Sequence, residues 1–256
     1  MLSLLVEIQV DIFLRLPVKS ILNFRYVCKP WSSLLSSSKF VEYHLQHRIQ
    51  ENNPMFLLKR YEKLGFKVPV VYSIDSASIS RSSTSCESIN EAVLMEYPFQ
   101  DKSLRFENLG SCNGLICFGI ISGRSTIISQ DCSVCLWNPS TGEYNNNIPM
   151  APLFDHHHPC YNVRYGVGYD GNTDDYKIVR LANYGNSGRF GDHVYALRSD
   201  SWKAVETVRY SFLLANRSPG LPFYGTLHWL VTTATNSEVM LCFDIRNERI
   251  LNMSFP

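Results

Sequence analysis

Residues 4–45 read LLVEIQVDIFLRLPVKSILNFRYVCKPWSSLLSSSKFVEYHL, and this stretch carries more large apolar side chains than a segment of its size can hide. Ile8 and Ile12 stand four apart, and residues 21, 24 and 28 step by three and four, the spacing of one helix face. Pro17 and Pro30 punctuate the run. Proline is tolerated in the first turn of a helix and not in its interior, so each marks a new helix. The spacing predicts short helices over 5–15, 18–28 and 30–37, then a fourth begun near Ser38 that carries Phe40, Val41 and Leu45. A unit of about 40 residues without a disulfide or metal buries too little surface to be stable alone. At roughly 1.5–3 kcal/mol for each large apolar side chain buried, half a dozen left exposed would be a liability. The expectation is a helical module completed by another protein.

The whole chain sets further bounds. It has 256 residues, 45% hydrophobic and 18% charged, with a net charge of +1, the composition of a folded globular chain. No basic stretch offers a footprint for nucleic acid or an anionic membrane. The start, MLSLLVEIQVD, lacks a basic leader and is interrupted by Glu7 and Asp11, which argues against a signal peptide. The uncharged run from Asn108 to Gly123 is too short and too rich in Gly, Ser and Asn to span a bilayer. The expected setting is soluble and intracellular, cytoplasmic and/or nuclear. Of the 8 cysteines, most sit in apolar runs such as Leu115–Phe118 and Met240–Phe243, so free buried thiols are expected.

Beyond the helices the periodicity changes. Residues 55–74 read as strands around Gly65 and Pro69, 73–90 as a serine-rich loop, and Ala92 to Phe99 as a short return. From Leu104 onward, short runs rich in Val, Ile, Tyr, Phe and Trp alternate with Gly, Asn, Asp and Pro. Three units repeat an aromatic residue with an apolar one seven positions later: Trp137 and Tyr144, Tyr195 and Trp202, Phe243 and Ile250. This long period suits four-stranded propeller blades better than an immunoglobulin-type sandwich. Three clear units, with part of a fourth in 55–100, predict an incomplete propeller. The glycine-led segments Asn113–Phe118 and Tyr224–Trp229 are expected to be its inner strands.

These strings carry a resemblance. IFLRLPVKSILNFRYVCKPWSSLLSSSKFVEYHL resembles the F-box of plant F-box proteins; the family motif opens Leu-Pro where this chain has Leu4-Leu5. GSCNGLICF, LWNPSTGEY, YGVGYDGNTDDYKIVRL, VYALRSDSW, GTLHWLV and CFDIRNERI resemble the type 1 F-box-associated domain, a kelch-like β-propeller relative. The implied fold class is an α+β multidomain chain. A helical F-box would occupy 1–48, connecting strands 49–103, and an all-β, propeller-like domain, short at its C-terminus, 104–256. The resemblance implies a substrate-recognition adaptor of an SCF-type cullin ubiquitin ligase. Its partners would be a Skp-type linker, through it a cullin and a RING subunit, and an unidentified protein substrate, without nucleic acid or membrane. Expected linker contacts are Ile8, Ile12, Leu14, Leu16, Pro17, Ile21, Leu22, Val27, Cys28, Trp31, Leu34 and Leu35, with Trp31 as the anchor. In the β domain, loops 145–162 and 183–193, with Phe154, Tyr161 and Phe190, are the substrate-binding candidates.

Such a subunit performs no bond chemistry, and no cofactor or metal is expected. The best metal-like constellation is Cys132-Ser-Val-Cys135 with His156, His157, His158 and Cys160. A strand through the Cys pair and a plain polar loop is the better reading. Gly185–Gly191 opens no helix as a phosphate cradle would, and Asp170, Asp174 and Asp175 lack EF-hand spacing and read as a solvated turn between Tyr169 and Tyr176. His228 beside Trp229 reads as a packed strand residue. Two alternatives stand beside the adaptor: a truncated, non-ligase F-box protein acting as a competitor or inactive, and a propeller enzyme, for which no convergent titratable set is visible.

Overall fold

A computed structural model describes residues 5–51, 54–60, 70–76, 79, 92–96, 98, 104–122, 132–152, 162–183, 191–212, 218–232 and 237–254. The chain divides into two compact units, Met1–Gln100 with Pro139–Gly142, and Asp101–Asn138 with Glu143–Pro256.

The first unit begins with α1 (Val6–Leu14), α2 (Val18–Phe24), α3 (Lys29–Leu35) and α4 (Ser38–Gln50). The prolines act as starters. Pro17 is the residue before α2, with φ −60° and ψ 148°, and Pro30 lies in the first turn of α3, where its missing N–H costs no helical bond. Helix α2 ends at Phe24, short of 28, because Cys28 must turn extended (φ −157°, ψ 158°) to lead into α3. Ser37 caps α4: its Oγ accepts from the Phe40 N–H at 3.2 Å and donates to the Leu34 carbonyl at 2.7 Å, satisfying an end group of each helix. The core of the four helices is small. Phe13, Ile21, Leu35 and Phe40 are buried, with Val10, Leu14, Leu16, Phe24, Trp31 and Leu34 packed around them. The same unit holds β1 (Met55–Arg60), β2 (Val70–Asp75) and β3 (Val93–Leu94), an antiparallel sheet in the order β1-β2-β3.

The second unit is three antiparallel meanders. The first runs β4 (Leu104–Cys112), β5 (Leu115–Ser122), β6 (Ser133–Trp137), β7 (Tyr144–Ile148). The second runs β8 (Asn162–Asp170), β9 (Asp175–Asn183), β10 (His193–Ala196), β11 (Ser201–Ala204). The third has β12 (Ser211–Phe212) and β13 (Leu221–Phe223) both on β14 (Thr226–Thr232), followed by β15 (Glu238–Asp244) and β16 (Arg249–Ser254). The seven-residue repeat is a register rule. Trp137 pairs with Tyr144, Tyr195 with Trp202 and Phe243 with Ile250, each directly across a hairpin. A fourth pair, Tyr169 with Tyr176, obeys it too. Two positions before the second member, each hairpin carries a positive φ: Gly142 (78°), Asp174 (51°), Asp200 (49°) and Glu248 (50°). The hairpins β4–β5 and β13–β14 instead close on two residues, Asn113-Gly114 and Tyr224-Gly225, all four at positive φ, as tight hairpin turns require.

The meanders stack as propeller blades do. Leu109, Cys117, Val134 and Leu136 of the first meet Val163, Tyr165, Ile178 and Tyr195 of the second in one core. Val179, Leu181 and Val194 of the second meet Leu227, Trp229, Leu241 and Phe243 of the third in another. The second meander is therefore buried on both faces, and every position of β9 except the half-covered Tyr176 is withdrawn from solvent, its polar residues Asp175, Lys177, Arg180 and Asn183 included. Contrary to expectation, β5 and β14 are not the innermost strands. The blades meet along the first strands of the first two, β4 and β8, and along β13 of the third, which follows β12. Gly166 and Gly220 form a parallel bridge there, with the Gly220 N–H donating to the Tyr165 carbonyl at 2.8 Å. The glycines that permit this approach lie in and beside these strands: a Cβ on Gly166 would stand 2.7 Å from the Trp229 ring and 3.3 Å from Gly220 Cα. Among the described residues no sheet closes on itself.

Candidate docking surfaces

In the helical module, Ile8 and Ile12 project from one side of α1, each 47% exposed, and Val27 is 62% exposed. Pro17 and Cys28 are also exposed. Leu14, Leu16, Leu22, Trp31 and Leu34 are half-buried. Ile21 and Leu35 are turned inward beside Phe13 and Phe40. Trp31 is the corner of an aromatic triad, 5.1 Å from Phe13 and 5.7 Å from Phe24 between ring centroids. Its indole N–H donates to Gln9 Oε1 at 3.0 Å, which ties α3 to α1. His44, buried in α4, bonds through Nε2 with the Leu16 carbonyl at 3.0 Å, so the α1–α2 connection is held from the far helix. Leu5 stands at φ −55° just before α1, inside the range to which a proline ring would confine it.

The β unit has two dissimilar ends. The described tight turns lie at one of them, and a polar network knits three of these, the turns after β8, β10 and β15. Lys177 Nζ reaches Asp170 Oδ2 and Glu248 Oε1, both at 2.9 Å, and the Ile245 carbonyl at 3.0 Å. Lys203 adds a bond to Glu248 at 2.8 Å. The Arg198 N–H donates to Asp175 Oδ1 at 3.0 Å, and Tyr169 and Tyr195 cap the aspartates Asp174 and Asp200. Sequence reasoning took Asp170, Asp174 and Asp175 for a solvated turn. Asp170 and Asp175 are buried, and only Asp174 is exposed. At the opposite end β5, β7, β9, β11 and β14 finish and β6, β8, β10 and β15 begin. The candidate recognition loops 145–162 and 183–193 lie in large part outside the described residues. Phe154, Tyr161 and Phe190 lie outside the described residues, as do His156, His157, His158 and Cys160.

The cysteines divide by face. Cys132 packs on the same core as Cys117, Val134 and Leu136, while Cys135 is paired with Phe118 on the other side of β6. Residues three apart on a strand face oppositely, so this Cys-x-x-Cys pair does not converge on one ion. Burial pushes the Cys135 thiol up to about 12 and Cys112 to about 11, away from the thiolate that a metal or nucleophilic role requires. No three His, Cys, Asp or Glu side chains gather as a metal site among the described residues. Cys28, one of the expected linker contacts, is exposed. His228 packs edge-on to Phe223 and bonds the Leu221 carbonyl. No described helix is long and apolar enough to cross a membrane.

Known proteins match this layout. Residues 1–43 match the F-box domain and residues 66–256 the F-box associated beta propeller domain. An F-box/kelch-repeat protein of Arabidopsis thaliana is 27% identical over 99% of this chain and 66% of its own length. The F-box protein CPR1 of the same plant is 28% identical over 100% of this chain and 61% of its own. The chain thus spans about two thirds or less of the length of these relatives. A Trypanosoma rangeli sialidase solved with sialic acid overlays 78% of this chain and 36% of its own at 10% identity and a TM-score of 0.43, too low to bear on function.

Proposed function

The chain belongs to the F-box proteins that carry an F-box associated beta propeller domain, and on that premise we propose that it is a non-catalytic, substrate-recruiting subunit of an SCF-type ubiquitin ligase. The helical module docks on a Skp-type linker, which brings a cullin and a RING subunit, and the β unit holds a target protein. The subunit contributes proximity: tethering raises the effective concentration of the target near the transfer machinery.

The observation that supports this most is the surface of the helical module. Ile8, Ile12 and Val27 remain exposed around a core of four buried residues, and Leu14, Leu16, Leu22 and Leu34 are only half-covered. These are the linker contacts. Ile21, Leu35 and the Trp31 triad act from beneath by fixing the helices that present them. Ile8→Asp with Ile12→Asp tests the assignment, since both side chains project to solvent and the module keeps its core. The double variant is expected to keep its helical circular dichroism and lose co-purification with the linker. Unchanged capture sinks the assignment. Mass spectrometry of the captured complex tests the other half: linker, cullin and a stabilised target support the adaptor, and linker without any target favours a competitor.

A further inference from the structure

A cleft lies between the first two blades of the β unit. Glu107, Asn108 and Leu109 of β4 form one wall and Val163, Arg164 and Tyr165 of β8 the other, closed by Ile121 and Cys132. Gly119, directly across from Glu107 in the β4–β5 ladder, makes the space: a Cβ there would lie 2.5 Å from Cys132 Sγ. The cleft encloses about 30 Å³. That admits the tip of one side chain and is far below the roughly 300 Å³ at which small-molecule sites begin.

Glu107 is the unusual member. The other described carboxylates that are buried or half-buried all have partners: Asp170, Asp175, Asp192, Asp244 and Glu248 accept bonds from a lysine, a tyrosine, an asparagine or backbone N–H groups. Glu107 has no hydrogen bond or ion pair with any described side chain. Arg164, in the same cleft, is directed elsewhere, with Nη1 on the Val163 carbonyl at 2.9 Å and its guanidinium 4.9 Å above the Phe212 ring. A half-buried carboxylate is acceptor-only and is costly to leave uncompensated.

We propose that this cleft receives a lysine or arginine side chain of the target protein, with Glu107 pairing the cationic head and Leu109, Ile121, Val163 and Tyr165 covering its methylenes. The inference rests on the reading of the β unit as the target-holding part and supplies a specificity rule for it: the target presents a basic side chain on a protruding segment. The position fits such a guest, because none of the ion-paired turn residues lines the cleft.

The probes are three blocked tripeptides, acetyl-Gly-Arg-Gly-amide, acetyl-Gly-Lys-Gly-amide and acetyl-Gly-Glu-Gly-amide, titrated by saturation-transfer NMR into the full chain purified with its linker. The arginine and lysine peptides are expected to bind saturably and to weaken as salt rises, and the glutamate peptide not to bind. Glu107→Gln should weaken the basic peptides about tenfold or more, the loss of one charge-assisted bond. Glu107→Lys should reverse the preference. Equal behaviour of all three peptides, or unchanged affinity in Glu107→Gln at an unchanged melting temperature, overturns the proposal. Linker capture is scored on the same samples. If wild-type capture fails, the adaptor reading falls whatever the peptides do; if capture holds and the peptides fail, only the cleft assignment falls.

Discussion

Replacing Lys177 with methionine tests what holds the second and third blades together. The ammonium group is 6% exposed and faces Asp170, 3% exposed, at 2.9 Å. It also reaches Glu248 and the Ile245 carbonyl of the third blade's turn. Methionine keeps most of the volume, so the cavity contribution is small, and the loss is electrostatic. Removing one partner of a buried pair costs about 3–5 kcal/mol, mostly for the stranded charge. For a unit of this size that lowers the melting temperature by on the order of 10 °C. Urea and thermal unfolding of Lys177→Met, Asp170→Asn and the double variant measure it. The double variant leaves no orphaned charge at Asp170 and should recover a large part of the loss. Acid titration adds a sign. Burial alone would raise the Asp170 carboxyl, but hydrogen bonds from Lys177, the Asn172 N–H and Thr173 outweigh it and hold it below 3.8. Glu248 is held below 4.5 in the same way by Lys203 and Lys177. A carboxyl depressed in the folded state gives stability that is complete above its unfolded value and lost as pH falls through the folded one. The wild type should therefore lose stability below about pH 4.5, and Lys177→Met should show a shallower loss there. A loss under about 1 kcal/mol, or a double variant no better than the sum of the singles, would refute the reasoning.

Three further outcomes follow from single positions. Gly166→Ala puts a Cβ 2.7 Å from the Trp229 ring, beside Gly220 backbone, and should cost about 1–3 kcal/mol in urea unfolding; Gly171→Ala, with its nearest neighbour at 3.9 Å, serves as the near-neutral control. Burial pushes the Asp192 carboxyl up to about 6, against hydrogen bonds from Tyr210 and the Ala182 N–H. Its charged form is thus a burden above pH 6 that is relieved on acidification, and Asp192→Asn should remove a rise in stability between about pH 6 and 4. Leu5→Pro, at φ −55°, should leave the helical module unchanged or stabilise it by up to about 1 kcal/mol in thermal unfolding; a comparable loss would show that the Leu5 N–H or side chain is in use.

The helices were legible because their signals are local: proline positions and a three-to-four spacing placed all four within a few residues, and α2 overran only where Cys28 had to turn extended. The hairpins were legible for a similar reason. An aromatic and an apolar residue seven apart with a polar turn between them define one register, and three such units paired as read. Tyr169 and Tyr176 obey the same rule and were passed over because the aspartates between them resemble a solvated loop. What buries Asp170 and Asp175 comes from residues 177, 198 and 245, which no local pattern connects. The inner strands were misplaced for a related reason. The glycines after Asn113 and Tyr224 are demanded by turns, and those demanded by close approach, Gly166 and Gly220, are recognisable only once two blades are side by side. Glu107 carried no signal in sequence, since its distinction is the lack of a partner among the described residues.

The two ends of the β unit therefore have different work. Ion pairs and capped turns are concentrated at the tight-turn end, where Lys177 and Lys203 converge on Glu248 and Arg198 meets Asp174 and Asp175. Toward the opposite end Glu107 has no partner among the described side chains, and burial pushes the Asp192 carboxyl up to about 6. A half-buried carboxylate without a described partner is open to a cationic guest, whereas the ion pairs of the tight-turn end hold blade to blade. It follows that the two kinds of substitution should separate cleanly. Changes at Lys177 or Gly166 should move the melting temperature and leave peptide discrimination intact, whereas Glu107→Gln should do the reverse.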